Sequence, residues 1–173
     1  MLGNLITSKT RLRLLIKFFI NVANEGYLRG LAFEMGESTN SIRKELNNLT
    51  EAGYLIRNES NQKITYRANQ QNPFFILLQK IVRKYIGLDT IVEMVVAKIG
   101  TLNRVFIIED YAKGIDSGKI EVVLEGANFD ELFIKELEQK IEKVIQKKVY
   151  LYTTVLHDDS GLLLFEQEAV TIF

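Results

Sequence analysis

The spacing of apolar residues predicts two short helices joined by a tight turn between residues 27 and 55. The first helix is predicted over 28–35, and Gly36 follows it where a left-handed residue commonly ends a helix. The second helix is predicted to begin after Ser38, whose hydroxyl can cap the first turn. At about 100° per residue, this helix turns three apolar side chains to one side, namely Ile42, Leu46 and Leu49.

The opposite face of the second helix is basic and rich in amides. Arginine can form two hydrogen bonds with guanine, asparagine can do the same with adenine, and lysine or serine reaches phosphate oxygens. These are the residue types that a DNA-recognition helix needs. The sequence therefore predicts a set of DNA-binding residues on this helix and on the segment that follows it: Ser38, Thr39, Asn40, Arg43, Lys44, Asn47, Asn61, Gln62 and Lys63.

The segment after the second helix has the pattern of a β-hairpin. Residues 54–57 and 63–67 alternate with period two around a polar loop at 58–62. The run STNSIRKELNNLTEAGYLI with this polar hairpin resembles the winged-helix repressors of the arsenic-repressor and multiple-antibiotic-resistance-repressor type. The resemblance implies a winged helix-turn-helix that binds double-stranded DNA as a transcriptional regulator. Because some winged helices dock on proteins instead, a protein-interaction module is an alternative.

The second half of the chain reads as a small α/β unit that begins after a polar run ending at Pro73. We predict, in order, helices over 74–85 and 88–99, strands over 104–108 and 120–124, a helix over 130–146 and a strand over 149–155. The predicted fold class is therefore α+β. Its predicted parts are a winged-helix domain at 1–72, linker and dimerisation helices at 73–100, and an α/β domain at 101–173.

The helix predicted over 74–85 is apolar over more than half of its circumference, so it needs a packing partner. In a DNA-binding regulator that partner is typically a second copy of the chain, since a twofold dimer presents two recognition helices to successive major grooves. We therefore predict a homodimer. Packing within one chain, between the two domains, is the alternative.

The centre of the second half, RVFIIEDYAKGIDSGKIEVVLEG, resembles the minimal nucleotidyltransferase fold of the DNA-polymerase-β-like kind. In that family a strand leads into Gly-Ser, then an aromatic-Ala-Arg/Lys-Gly run, and then a strand with two metal-binding aspartates that ends in glycine. Residues 111–114 and Gly126 match this pattern. The Gly-Ser pair is replaced by Glu109 and Asp110, and the aspartates by Lys119 and Glu121.

These replacements work against the family's chemistry, because two acids repel a triphosphate and a lysine repels Mg²⁺. The resemblance therefore implies a degenerate transferase domain that serves dimerisation, sensing or docking, with no catalytic residue, no metal and no cofactor. An active nucleotidyltransferase with an appended winged helix is the alternative.

Composition adds a charge asymmetry and excludes some classes. Residues 1–73 carry 10 Lys and Arg against 6 Asp and Glu, and the remaining residues carry 12 against 16. This distribution is typical of a basic DNA-binding domain joined to an acidic second domain. The chain contains no cysteine, which excludes disulfides and thiolate metal sites. We expect a cytoplasmic location and no membrane partner, because Lys17 interrupts the N-terminal apolar run and no stretch is long enough to span a bilayer.

Four smaller patterns each have two interpretations. The cations at 9, 13 and 17 either form a solvated helix face or contact phosphate. His157 and residues 158–161 form either a polar turn or part of a metal site. Asp110, Asp116 and Glu121 are separate loop acids or hold one hard cation. The apolar tail 162–165 packs on the sheet or on a partner.

Overall fold

The computed structural model of this protein describes residues 6–60, 63–99, 101–156 and 161–167. The chain divides into two compact units. Unit 1 comprises Met1–Tyr85 with Lys113–Asp116, and unit 2 comprises Ile86–Ala112 with Ser117–Phe173. Helices and two sheets are both present, so the α+β class is confirmed. The domain boundaries predicted at 72 and 100 stay predictions.

Unit 1 consists of helices packed beside a three-stranded sheet with the order β1-β3-β2. Both helices of the predicted pair are present, and so is the hairpin. Strand β1 was not predicted, because two residues are too few to show an alternating pattern. The elements are α1 (Lys9–Phe19), β1 (Glu25–Gly26), α2 (Leu28–Met35), α3 (Thr39–Glu51), β2 (Leu55–Ser60), β3 (Lys63–Ala68) and α4 (Phe75–Ile86), whose final residue is assigned to unit 2.

The hairpin differs from the prediction in the length of its loop. Strands β2 and β3 pair antiparallel from Leu55 opposite Ala68 to Ser60 opposite Lys63. The predicted five-residue loop at 58–62 is therefore wrong, since three of its residues belong to β2. Polar residues favour loops by local propensity, but here cross-strand hydrogen bonds hold them in an exposed strand.

The core of unit 1 is the apolar side of α1, α2 and α3. Leu14, Ile16, Phe18, Ile42 and Leu46 are each fully inaccessible to solvent. Helix α2 ends at Gly36, which has a φ of 61°, and the amide of Gly36 donates to the carbonyl of Phe33. The turn between α2 and α3 therefore forms as the sequence predicted, with glycine in the left-handed conformation.

Helix α1 does not present its three cations as one solvated face. Lys9 is exposed, but Lys17 is buried and its ammonium donates to Glu34 and to the carbonyl of Lys113, both at 2.8 Å. The segment 113–116 lies against α1 so closely that a Cβ on Gly114 would stand 2.6 Å from backbone atoms of Lys17. Both interpretations of this face are thus wrong at Lys17, which is a structural cation.

Unit 2 is a four-stranded mixed sheet with the order β6-β5-β4-β7 and helices beside it. Strands β5 and β6 are parallel and are joined through a helix, whereas β4 pairs antiparallel with both of its neighbours. The elements are α5 (Leu88–Lys98), β4 (Leu102–Ile108), α6 (Glu109–Ala112), β5 (Lys119–Gly126), α7 (Glu131–Ile145), β6 (Lys148–Thr153) and β7 (Leu162–Glu166).

Two elements of unit 2 were not assigned from the sequence. The segment after β4 forms the short helix α6, and the apolar tail forms β7, which pairs with β4 through Val105 opposite Phe165. The tail therefore packs on the sheet. None of the described helices is long and apolar enough to cross a membrane.

Candidate nucleic-acid interface and C-terminal groove

All of the residues of helix α3 and its cap that the sequence predicts to contact DNA are exposed. The hydroxyl of Ser38 caps the helix by accepting the amide of Ser41 at 3.1 Å. The remaining assigned side chains stand in solvent on one arc of the helix, opposite the buried Ile42, Leu46 and Leu49. They are Thr39, Asn40, Arg43, Lys44 and Asn47.

The two cations on this arc are available to a ligand. Arg43 and Lys44 are exposed and form no hydrogen bond or ion pair with any residue that the structure describes. A contact with an anion would therefore not require either cation to leave an existing partner. Both side chains are exposed and hold no contact that the fold uses, so these two charges can be changed without loss of the helix.

The orientation of α3 is held by a buried carboxylate that sequence reasoning missed. Glu45 lies at 6% exposure and accepts hydrogen bonds from the hydroxyl of Ser8 at 2.7 Å and from Nε of Arg11 at 2.8 Å. Burial acts to raise the pKa of the Glu45 carboxyl, but these bonds and the Arg11 charge outweigh it and lower that pKa below its usual value. The carboxylate thus fixes α3 to the start of α1.

The hairpin contributes Lys63 to the candidate interface. Lys63 is exposed, and its ammonium lies 5.1 Å from the centroid of the Tyr27 ring, at the start of α2. This contact is a cation–π interaction at an exposed site. The predicted contacts Asn61 and Gln62 fall outside the described residues.

Unit 2 contains a groove of about 620 Å³. This volume is within the range typical of small-molecule sites. The groove is bounded by the ends of β4 and β5, by α7 and by β6 with the residues after it. The lining side chains are Ile108, Glu109, Glu121, Val123, Glu131, Ile134, Lys135, Glu138, Leu151, Tyr152, Thr153, Thr154 and Leu156.

The groove lies at the motif that resembles nucleotidyltransferases. Glu109 and Glu121 both line it, whereas Asp110 and Lys119 are not among the lining residues. Glu109 has a φ of 55°, the left-handed conformation that favours glycine, at the very position where that family has glycine. For a glutamate this conformation costs on the order of 1 kcal/mol. The backbone at Glu109 therefore has a conformation typical of glycine, although its side chain is an acid.

Glu121 is engaged by its own chain. Its Oε1 atom lies 2.8 Å from the ammonium of Lys119 and accepts the hydroxyl of Tyr152 at 3.1 Å. The hydrogen bond with Glu121 raises the pKa of Lys119, and burial followed by the bond to Glu121 raises the pKa of Tyr152. Two metal ions need several carboxylates that are free to bind them, and here the Glu121 carboxylate is bonded to the Lys119 ammonium. The side chains at these positions therefore do not fit the two Mg²⁺ ions that nucleotidyltransferases bind.

Sequence reasoning missed most of the groove. Glu131, Lys135 and Glu138 lie on the groove side of α7, and Tyr152 lies on β6. The spacing i, i+4, i+7 on α7 was a usable signal, because it places three charged residues on one face of a helix. Nothing in the local pattern of β6 marks Tyr152 as a partner of Glu121, which is 31 residues away.

The described residues offer no group of three or more His, Asp or Glu side chains that could hold a metal ion. Asp110, Asp116 and Glu121 are not part of any such group. His157 and residues 158–160 lie outside the described part of the chain.

No protein-family model and no curated protein matches this chain. Among solved structures, it is similar to a mutant of the MntA–HpeT toxin–antitoxin, with a TM-score of 0.42 and 19% identity over 46% of this chain and 73% of that one. It is also similar to Sso10a-2, a DNA-binding protein from Sulfolobus solfataricus, with a TM-score of 0.36 and 15% identity over 51% and 90%. A third similar structure is the AntR antimony-specific transcriptional repressor, with a TM-score of 0.34 and 17% identity over 53% and 80%.

Proposed function

We propose that this protein is a transcriptional regulator whose unit 1 is a winged helix-turn-helix that binds double-stranded DNA. The observation that carries the proposal is helix α3. One side of it is buried, and the other exposes two cations and two amides, of which Arg43 and Lys44 have no partner among the described residues. In this proposal Arg43 and the amides contact bases, and Lys44 and Lys63 contact phosphates.

The proposed regulator acts as a homodimer through the helix α4. A stripe of four apolar side chains runs from the turn before α4 to its last turn and is open to solvent: Phe74, Leu77, Ile81 and Tyr85. The buried side of α4 is a separate face that contains Phe75, Val82 and Ile86. An exposed apolar stripe with spacings of three and four residues is typical of a helix that packs on a second helix.

Selection of binding sites from a random duplex pool tests the proposal. We expect purified protein to enrich one sequence that is approximately palindromic, with half-sites about one helical turn apart, because a twofold dimer presents two copies of α3. Non-specific retention of the pool without enrichment would contradict sequence recognition. Enrichment of a single, non-repeated half-site would support DNA binding but contradict the proposed homodimer.

We further propose that unit 2 transfers no nucleotide. Support comes from the ion pair between Lys119 and Glu121 and from the acidic side chain at Glu109, which repels a triphosphate. With labelled nucleoside triphosphates and Mg²⁺ or Mn²⁺, purified protein is expected to give no labelled product. Transfer by the native protein that disappears in the Glu121→Ala variant would show that unit 2 is an active enzyme.

A further inference from the structure

The groove of unit 2 has an apolar floor. Ile108, Val123, Ile134 and Leu151 line it from β4, β5, α7 and β6, and three of them, Val123, Ile134 and Leu151, are buried. A floor of hydrocarbon side chains favours a ligand with an apolar body, because binding there removes the apolar area of the ligand from water.

The rim of the groove is strongly acidic. Four carboxylates and one ammonium line it: Glu109, Glu121, Glu131, Glu138 and Lys135. Glu121 pairs with Lys119, and Glu138 accepts the amide of Leu151 at 2.7 Å. The four carboxylates outnumber the two ammonium groups, Lys135 of the lining and Lys119 beside it.

The rim also carries an aromatic ring beside a carboxylate. Tyr152 lines the groove and is 41% exposed, with its hydroxyl bonded to Glu121. A tyrosine ring attracts cations, organic ammonium groups among them, through its negative face. The hydroxyls of Thr153 and Thr154 on the same wall can accept N–H groups.

From this complementarity we propose that the groove binds an amphipathic organic cation, an amine with a hydrocarbon or aromatic body. The ammonium group lies at the acidic rim near Glu109 and Tyr152, and the apolar body covers the floor. This assignment does not depend on DNA binding. It also separates the groove from a nucleotide site, because a triphosphate would bring several negative charges to the same rim.

Calorimetric titration with three matched probes tests the charge preference. The probes are 4-phenylbutylamine, 4-phenylbutanol and 4-phenylbutyrate, which share one hydrocarbon body and differ in the charge of the head group. We expect the amine to bind about tenfold more tightly than the alcohol, and the carboxylate to bind most weakly. Equal affinity for amine and alcohol, or tighter binding of the carboxylate or of Mg²⁺-ATP, would overturn the proposal.

A spermidine titration separates an amphipathic site from general attraction to an acidic surface. Spermidine carries more positive charge than the phenyl amine but no apolar body. We expect it to bind more weakly than 4-phenylbutylamine and to lose its affinity more steeply with salt. Spermidine binding as tight as that of the phenyl amine would show that the floor plays no part, which contradicts the proposal.

Paired variants locate the binding site. The Glu109→Gln, Glu131→Gln protein is expected to bind the amine about fivefold more weakly, with affinity for the alcohol changed less than twofold. The control is Glu93→Gln, Glu136→Gln, which removes two exposed carboxylates of the same unit outside the groove. An equal loss in both proteins would place the amine elsewhere. Thermal unfolding of each variant checks that unit 2 remains folded.

Discussion

Replacing Arg43 and Lys44 together by alanine is expected to weaken binding to the selected duplex by on the order of 100-fold. A bidentate arginine–guanine contact is worth about 1–3 kcal/mol, and the lysine contributes a phosphate contact that is independent of sequence. The preference for one base in each half-site should relax with Arg43, and the salt dependence should become less steep by about one phosphate contact per half-site with Lys44. The fold should persist, because both side chains are exposed and alanine favours helix.

Fluorescence anisotropy titrations at several salt concentrations measure this effect. The matched control is Lys140→Ala, Lys143→Ala, which also removes two positive charges from an exposed helix face, on α7. We expect this control to bind DNA nearly as the native protein does. If the Arg43, Lys44 variant keeps native affinity, α3 is not the recognition helix. If the α7 control loses as much, the binding is a response to net charge.

The second large effect concerns assembly, because Leu77→Glu with Ile81→Glu is expected to convert the homodimer to a monomer. Leu77 and Ile81 are 54% and 36% exposed in the single chain. Burying the exposed remainder in a dimer is worth about 1 kcal/mol for each of four side chains, so their removal weakens the dimer on the order of 10³-fold. Four glutamates in one interface add repulsion to that loss.

Sedimentation at micromolar concentration measures the change, with and without the selected DNA. Ile76→Glu is the matched control, because Ile76 is 58% exposed on the same helix but points away from the stripe that holds Leu77. This control should remain dimeric. A native protein that sediments as a monomer in both conditions would rule out the homodimer, and dissociation by Ile76→Glu would move the interface to another face of α4.

Local patterns in the sequence predicted the elements well where one short period determines the structure. The helix pair around Gly36 and the buried arc of Ile42, Leu46 and Leu49 formed as expected, since a helix places residues three and four apart on one side. The cap of α7 is equally local, because Asp130 accepts the amides of Leu132 and Phe133. Each of these features depends on residues within four positions of one another.

Features that depend on distant partners were not predictable. Glu45 is adjacent to the apolar arc of α3, but its burial depends on Ser8, which is 37 residues away. Lys17 similarly depends on the Lys113 carbonyl, 96 residues away. A charged residue is buried only when the fold supplies its partner, so periodicity alone assigns it to solvent. The same limit applies to the candidate site, where Tyr152 and Glu121 meet only in the folded sheet.

The assignment of residues 113–116 to unit 1 bears on the order in which the protein can complete its folding during synthesis. After Tyr85 has been added, unit 1 still lacks the carbonyl that accepts the Lys17 ammonium and the glycine that lies against the backbone of α1. At about 5–20 residues per second, synthesis of the missing segment takes roughly 2–6 seconds more. Strand β4 and helix α6 precede that segment in the chain. The N-terminal unit therefore cannot finish folding on the ribosome before part of the C-terminal unit has been made.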